Sequence, residues 1–149
     1  MLIPSRLVLV GDGPEVGVAD LMLKGLGLAD RVEYLGAQDR VEDLLPCADL
    51  VLLPSEYESF GLAALEAMAC EVPVVASNSG GLTELMEDGV TGFLVDVGDV
   101  QTMAARGIDV LTNADAAREI GAQARERAVQ KFNPELIVGE YERLYRSVV

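Results

Sequence analysis

Histidine and tryptophan are absent from this chain of 149 residues, and cysteine occurs only twice. Without histidine the commonest zinc ligand is missing, and no paired-cysteine spacing takes its place, so no metal site is expected. Cys47 and Cys70 sit in apolar contexts (L-P-C-A-D and A-M-A-C-E) and read as buried, reduced thiols. Basic residues are scarce, 11 against 25 acids for a net charge of −14. A nucleic-acid partner would want a basic face and is therefore not expected. No apolar run reaches the length of a membrane span. The start at 1–4 lacks the charged head and small-residue cleavage site of a signal peptide. These absences point to a soluble, cytoplasmic protein.

What is present is apolar: half of the residues are hydrophobic, enough for a single domain over 1–149 with its own core. Short β-like runs alternate with helical stretches. R-L-V-L-V at 6–10 stops at the turn signal G-D-G-P, a helical pattern follows over 15–26, and a second strand covers 32–35. A helix over 41–48 leads to a strand at 49–53. Helix 61–70, strand 73–76, a helix from about 80 to 87 and strand 92–95 come next. Continuous rather than alternating apolar runs imply strands buried on both faces. The fold class is thus α/β: a Rossmann-like open parallel sheet of about five strands, with helices on both faces. Three helical stretches close the chain, at 99–112, 114–131 and 134–148, and Asn133-Pro134 is a strong cap signal. Ile137, Tyr141, Leu144 and Tyr145 form a stripe on the last helix that reads as core packing.

In open α/β sheets ligands bind beyond the carboxyl ends of the strands. The loops there are G-D-G-P, L-G-A-Q-D-R, P-S-E-Y-E-S-F-G and S-N-S-G-G. In the third, Ser59 is placed to cap a helix, leaving the amides of Phe60, Gly61 and Leu62 to receive a phosphate or sugar oxygen. Gly61 lets a ligand approach the backbone. Glu66 is the sole charged residue between Phe60 and Cys70, on a helix that reads as buried nearly all round, where a carboxylate is costly without a partner. Ser59 and Glu66 then share a face about 10 Å apart along the axis, with Glu58 at the mouth. Read singly, Glu58 is an ordinary solvated acid and Glu66 an acid reaching out through a gap. Read together at a strand end, they suit a molecule with hydroxyls at both ends and a diphosphate between. With net charge −14, aimed amides rather than a global field would have to hold such an anion.

Glu58 and Glu66 in E-S-F-G-L-A-A-L-E resemble the paired-glutamate signature of retaining glycosyltransferases with two Rossmann-like lobes (glycosyltransferase family four, group 1). V-G-D-G-P-E, A-D-L-V-L-L-P-S, E-A-M-A-C-E-V-P-V-V-A-S, G-G-L-T-E-L-M-E-D-G-V-T-G-F-L-V and the closing F-N-P-E…Y-E-R-L-Y are similar to that family's carboxy-terminal lobe, in order and over nearly the whole chain. Within the family the set is similar to the bacillithiol-pathway N-acetylglucosaminyl-malate synthase type. The resemblance implies a donor-binding lobe that takes a UDP-sugar without a metal and transfers the sugar with retained configuration to an acceptor it does not name. It implies that Glu66 accepts hydrogen bonds from the ribose hydroxyls and that Glu58, the catalytic candidate, lies beside the donor sugar. Ser59 and the amides of Phe60, Gly61 and Leu62 would serve the sugar and distal phosphate, and the stretch at Gln38 the base.

The chain departs from the family pattern in places. A strand–helix unit with an Arg and a Lys for the diphosphate precedes the first strand in family members, as does a separate acceptor-binding lobe; neither is read here, and Arg6 and Lys24 stand in the wrong context to substitute. That predicts either direct pairing of the strands at 6–10 and 49–53 or a strand from another chain, with exposed apolar surface and self-association. Glu71 stands where the family usually has Gly, and Thr83 where it has Pro. Three rivals remain. A receiver domain lacks its acids and late Lys here, an epimerase of the same plan lacks its histidine, and a folded fragment or association module that catalyses nothing stands close beside the donor-lobe reading.

Overall fold

The computed structural model describes residues 3–148, in two compact units, one ending at Val41 and the other beginning at Glu42. The first unit is a strand–helix–strand motif: β1 (Leu7–Val10), α1 (Val16–Gly25), one turn of 3-10 helix (Ala29–Arg31) and β2 (Val32–Gly36). β1 and β2 run parallel with Leu7 opposite Val32, and the register slips after Leu9 so that Val10 faces Gly36. The G-D-G-P turn leaves β1 at Gly11, whose amide donates to the Gly36 carbonyl at 2.8 Å. No described residue of this unit is buried, and Leu7, Val8 and Val10 are all more than two-fifths exposed. The expected burial of β1 on both faces is not found.

The second unit carries the rest. Its elements are β3 (Val51–Leu53), α2 (Leu62–Ala69), β4 (Val74–Ser77), α3 (Leu82–Leu85), β5 (Phe93–Val95), α4 (Val100–Thr112), α5 (Ala114–Phe132) and α6 (Pro134–Ser147). The strands are parallel in the order β3-β4-β5, with Leu52 opposite Val75 and Ala76 opposite Leu94. All four residues of β4 are buried. Because side chains alternate along a strand, Val74 and Ala76 join one core and Val75 the other. The larger core adds Ala64, Ala67 and Met68 of α2, Leu82 and Leu85 of α3, and Ala124 and Ala128 of α5. The smaller adds Val95 of β5 and Val110 of α4. Helices therefore cover both faces, the layering expected of a Rossmann-like α/β unit. Met68, Leu82 and Leu85 are fully buried, each contributing about 1.5–3 kcal/mol over exposure.

Local chemistry sets the element ends. The Asp99 carboxylate accepts the Thr102 amide at 3.0 Å and the Thr102 hydroxyl at 2.6 Å, starting α4. Asn113 accepts the Ala116 amide at the start of α5, and Asn133 accepts the Glu135 amide at the start of α6 with Pro134 in its first turn, as the sequence signals. α2 ends in a Schellman turn: the Glu71 amide donates to the Met68 carbonyl and the Val72 amide to the Ala67 carbonyl, both at 3.0 Å. That turn needs a left-handed residue, and Glu71 supplies it at φ 63, the sole positive-φ residue other than glycine among the described residues. The family's usual Gly at this position thus has a backbone reason. α5 crosses the turn at Gly121, where a Cβ would lie 2.2 Å from the Glu71 carbonyl oxygen. Arg125 of the same helix donates to the Ala69 carbonyl and lies 3.5 Å from the Glu71 carboxylate.

Several expectations are corrected. The stretch 41–48 is two 3-10 turns, Val41–Asp43 and Leu45–Cys47, because Pro46 lacks the amide a longer helix would need. The helix expected from 80 to 87 is one turn, α3. The described strands lie in two parallel sheets, β1-β2 in the first unit and β3-β4-β5 in the second. Cys47 is exposed and Cys70 half-buried. On α6, Ile137 is half-buried, but Tyr141, Leu144 and Tyr145 are each more than half exposed, so the stripe is not core. Among the described residues no helix is long and apolar enough to cross a membrane.

Candidate functional site

Two loops at the carboxyl ends of neighbouring parallel strands frame the site: 54–61 after β3 and 78–81 after β4. Backbone meets backbone where they touch. A Cβ on Gly80 would lie 1.8 Å from the Glu58 carbonyl oxygen, and one on Gly81 would lie 2.5 Å from that of Ser59. Glycine at both positions is therefore a packing requirement, and at Gly80 φ is 51 as well. The Gly81 amide donates to the Glu58 carbonyl at 3.1 Å, and the Ser79 hydroxyl to the Glu56 carbonyl at 2.9 Å.

From this seat the chain enters α2. Gly61 is the N-cap, buried, at φ 96, with no side-chain cap bond from Ser59. Ser59 is exposed and lies outside the helix, so the expected capping and the helical spacing from Ser59 to Glu66 do not apply. The carboxylate at the helix start is that of Glu58. Half-buried, its Oε1 accepts the Gly61 amide at 3.2 Å, a favourable place for negative charge. The Gly61 amide is thus occupied, while the Leu62 and Ala63 amides have no backbone or side-chain acceptor among the described residues. Phe60, 37% exposed, is held edge-on against Phe132 of α5 with ring centroids 5.7 Å apart.

α2 is not buried all round. Ala64, Ala67 and Met68 face the core, whereas Leu62, Ala63 and Glu66 are exposed and share the opposite face at i, i+3 and i+4 spacing. Glu66 makes no hydrogen bond or ion pair through its carboxylate among the described residues. It stands as an open acceptor one turn in from the helix start, on an otherwise apolar face. The pattern of one acid in an apolar helix had suggested a buried charge; the small alanines on both faces hid which side was out.

Glu58, Ser59, Phe60, Gly61, Leu62 and Glu66 are therefore one continuous loop–helix segment of the second unit. Gln38 belongs to the first unit, exposed after β2, where its Nε2 donates to the Leu35 carbonyl at 2.6 Å. Sequence reasoning named the strand-end loop S-N-S-G-G but not the clamp that its Ser79, Gly80 and Gly81 form. It also missed Arg127 of α5, which donates to the Leu85 carbonyl at 2.6 Å and the Glu84 carbonyl at 2.9 Å and so closes the end of α3. A separate groove of about 610 Å³ is lined by Phe60, Leu65, Phe132, Ile137, Tyr141 and Leu144 among others. Its lining is mostly apolar, with Glu140 as the charged member.

The parallel strands, the helices between them and the strand-end loops define the class as Rossmann-like α/β. Residues 2–127 match the family model described as Glycosyl transferases group 1, and the chain belongs to that family. It is 44% identical over 147 residues to N-acetyl-alpha-D-glucosaminyl L-malate synthase of Bacillus anthracis, covering 99% of this chain and 39% of that protein. It is 32% identical to 2-deoxystreptamine N-acetyl-D-glucosaminyltransferase of Niallia circulans, covering 95% of this chain and 37% of the relative. Among solved structures, HepE of Anabaena in complex with UDP superposes with a TM-score of 0.92 at 33% identity, covering 96% of this chain and 41% of HepE. The chain thus spans about two-fifths of the length of the relatives it matches.

Proposed function

We propose that this chain is the donor-binding lobe of a retaining glycosyltransferase, taking a UDP-sugar and passing a hexose or N-acetylhexosamine to an acceptor hydroxyl. The observation that carries the reading is the seated loop 54–61, which puts Glu58 at the start of α2 and leaves Glu66 unpartnered on the exposed face. The relatives named above support the donor: one structure holds UDP, and a second HepE structure, with a TM-score of 0.88 and 34% identity, holds UDP-glucose.

Glu66 is the acceptor for the ribose hydroxyls, a bidentate pairing that a free carboxylate suits. Leu62 and its neighbours offer free amides to phosphate or sugar oxygens at the positive end of α2. The Gly61 amide stays with the Glu58 carboxylate, which is held at the start of α2 beside the donor sugar. Ser59 and Phe60 line the approach. In the transfer, the bond between the anomeric carbon and the diphosphate oxygen breaks, the diphosphate leaves with its electron pair, and the acceptor oxygen bonds on the same face. The acceptor proton goes to a leaving oxygen or to solvent. The residues' task is to stabilise the departing negative charge, which positioned donors do without a metal.

A second reading, a folded association module that catalyses nothing, draws on the exposed apolar residues of β1 and α6, among them Val8, Leu136, Tyr141 and Leu144. Titration with UDP and with UDP-N-acetylglucosamine separates the two. The donor lobe binds both, and a well-folded chain that binds neither leaves only the association module.

A further inference from the structure

Loop 54–61 has no regular secondary structure, so something outside it has to fix the position of Glu58. The described long-range hydrogen bonds that reach it come from the loop after β4. They grip alternate carbonyls, Glu56 through the Ser79 hydroxyl at 2.9 Å and Glu58 through the Gly81 amide at 3.1 Å. Ser79 is itself anchored. Its amide donates to the carbonyl of Ser77, which is 2% exposed at the end of the central strand, and the neighbouring Asn78 amide donates to the Val95 carbonyl at 2.7 Å. A rigid route therefore runs from the buried strand through one hydroxyl to the backbone just before Glu58.

We propose that Ser79 is a positioning residue for Glu58, its hydroxyl clamping the segment Glu56–Tyr57–Glu58 to the end of β4 so that the Glu58 carboxylate is held at the start of α2. The role of Glu58 toward the donor sugar rests on the function proposed above; the clamp itself rests on geometry alone. Glu56 is exposed, so removing the hydroxyl leaves its carbonyl to water and costs little global stability, while freeing the loop. The Gly81 amide holds the Glu58 carbonyl itself, and the Ser79 hydroxyl adds a second grip two residues earlier, so that Glu56–Tyr57–Glu58 is fixed at both ends.

The test compares Ser79→Ala with Ser79→Thr, which keeps the donor. In the ligand-free protein, amide hydrogen exchange at Gly61 and Gly81 is expected to quicken about five-fold in Ser79→Ala, the worth of one net hydrogen bond, and to stay near wild type in Ser79→Thr. In titrations, Ser79→Ala is expected to lose about five-fold in affinity for UDP-N-acetylglucosamine and less than about two-fold for UDP, since Glu58 addresses the sugar and not the nucleotide. Unchanged exchange in Ser79→Ala overturns the clamp. Equal losses for both ligands overturn its action through Glu58. A wild-type chain that takes up neither ligand overturns the donor reading, and the exchange result then decides the clamp by itself.

Discussion

Two glycines in the carboxy-terminal helices provide a paired test of how the second unit is packed. Both Gly121 in α5 and Gly139 in α6 are inside helices, where replacing Gly by Ala is worth about 0.8–1.0 kcal/mol of helix stability if nothing intervenes. At Gly139 a Cβ would meet nothing within 4 Å, so Gly139→Ala is expected to stabilise the chain by about that amount. At Gly121 the same Cβ would lie 2.2 Å from the Glu71 carbonyl oxygen and 3.0 Å from its carbon. The obstacle is backbone, held by the Schellman turn, and cannot swing aside as a side-chain tip would. Relief requires α5 to move by about 0.8 Å to reach even the closest tolerated contact, in a core where overpacking costs about 1–3 kcal/mol. Set against the propensity gain, Gly121→Ala is expected to destabilise by about 1 kcal/mol or more. In a chain of this size that lowers the melting temperature by about 2–4 °C. Urea unfolding of both variants reads the difference as a shift of midpoint at constant slope. A Gly121→Ala chain as stable as Gly139→Ala refutes the close seating of α5 on the end of α2.

Two further outcomes follow from the caps. Glu71 at φ 63 carries a left-handed strain of about 1–2 kcal/mol, partly offset on replacement by the extra freedom of unfolded glycine; Glu71→Gly is therefore expected to equal or exceed wild-type stability, and Glu71→Val to fall well below it, and thermal unfolding that ranks Val level with Gly would remove the argument. The Asp99 carboxyl is held below its ordinary value of 3.8, first by the Thr102 hydroxyl and then by the Thr102 amide; its contribution to stability is present above that ordinary value and is lost as pH falls through the lower folded-state value. Thr102→Ala is expected to bring the Asp99 titration back up toward 3.8, followed by carboxyl-carbon NMR, and an unmoved titration would assign the shift elsewhere.

The elements were legible where periodicity and punctuation agreed. β4 showed as a continuous apolar run because both faces are covered, and α6 began where Asn133 and Pro134 said it would. The stretch 41–48 misled because its apolar spacing is helical while Pro46 forbids the bonds. The start of α2 misled because Ser59 is a good cap by type, yet the left-handed Gly61 moves the helix start two residues on, where no side chain caps it and the Glu58 carboxylate accepts the Gly61 amide. Tyr141, Leu144 and Tyr145 have the spacing of a core stripe, and no sequence pattern says whether a partner face is present to bury them. Of the site, the loop–helix segment from Glu58 to Glu66 was legible as a motif. The clamp from Ser79 to Gly81 was not, since bonds to main-chain carbonyls leave no residue-type signature on the partner.

The central claim is that the exposed carboxylate of Glu66 receives the ribose of a uridine nucleotide. Calorimetric titration of UDP into the wild type and Glu66→Ala tests it most directly. The wild type is expected to bind, and Glu66→Ala to bind about ten-fold or more weakly, the loss of a charge-assisted hydrogen-bond pair worth about 1.5–3 kcal/mol, with its melting temperature unchanged because Glu66 packs against nothing in the core. Equal UDP affinity in the two proteins would contradict the assignment of Glu66 and with it the donor site built around α2.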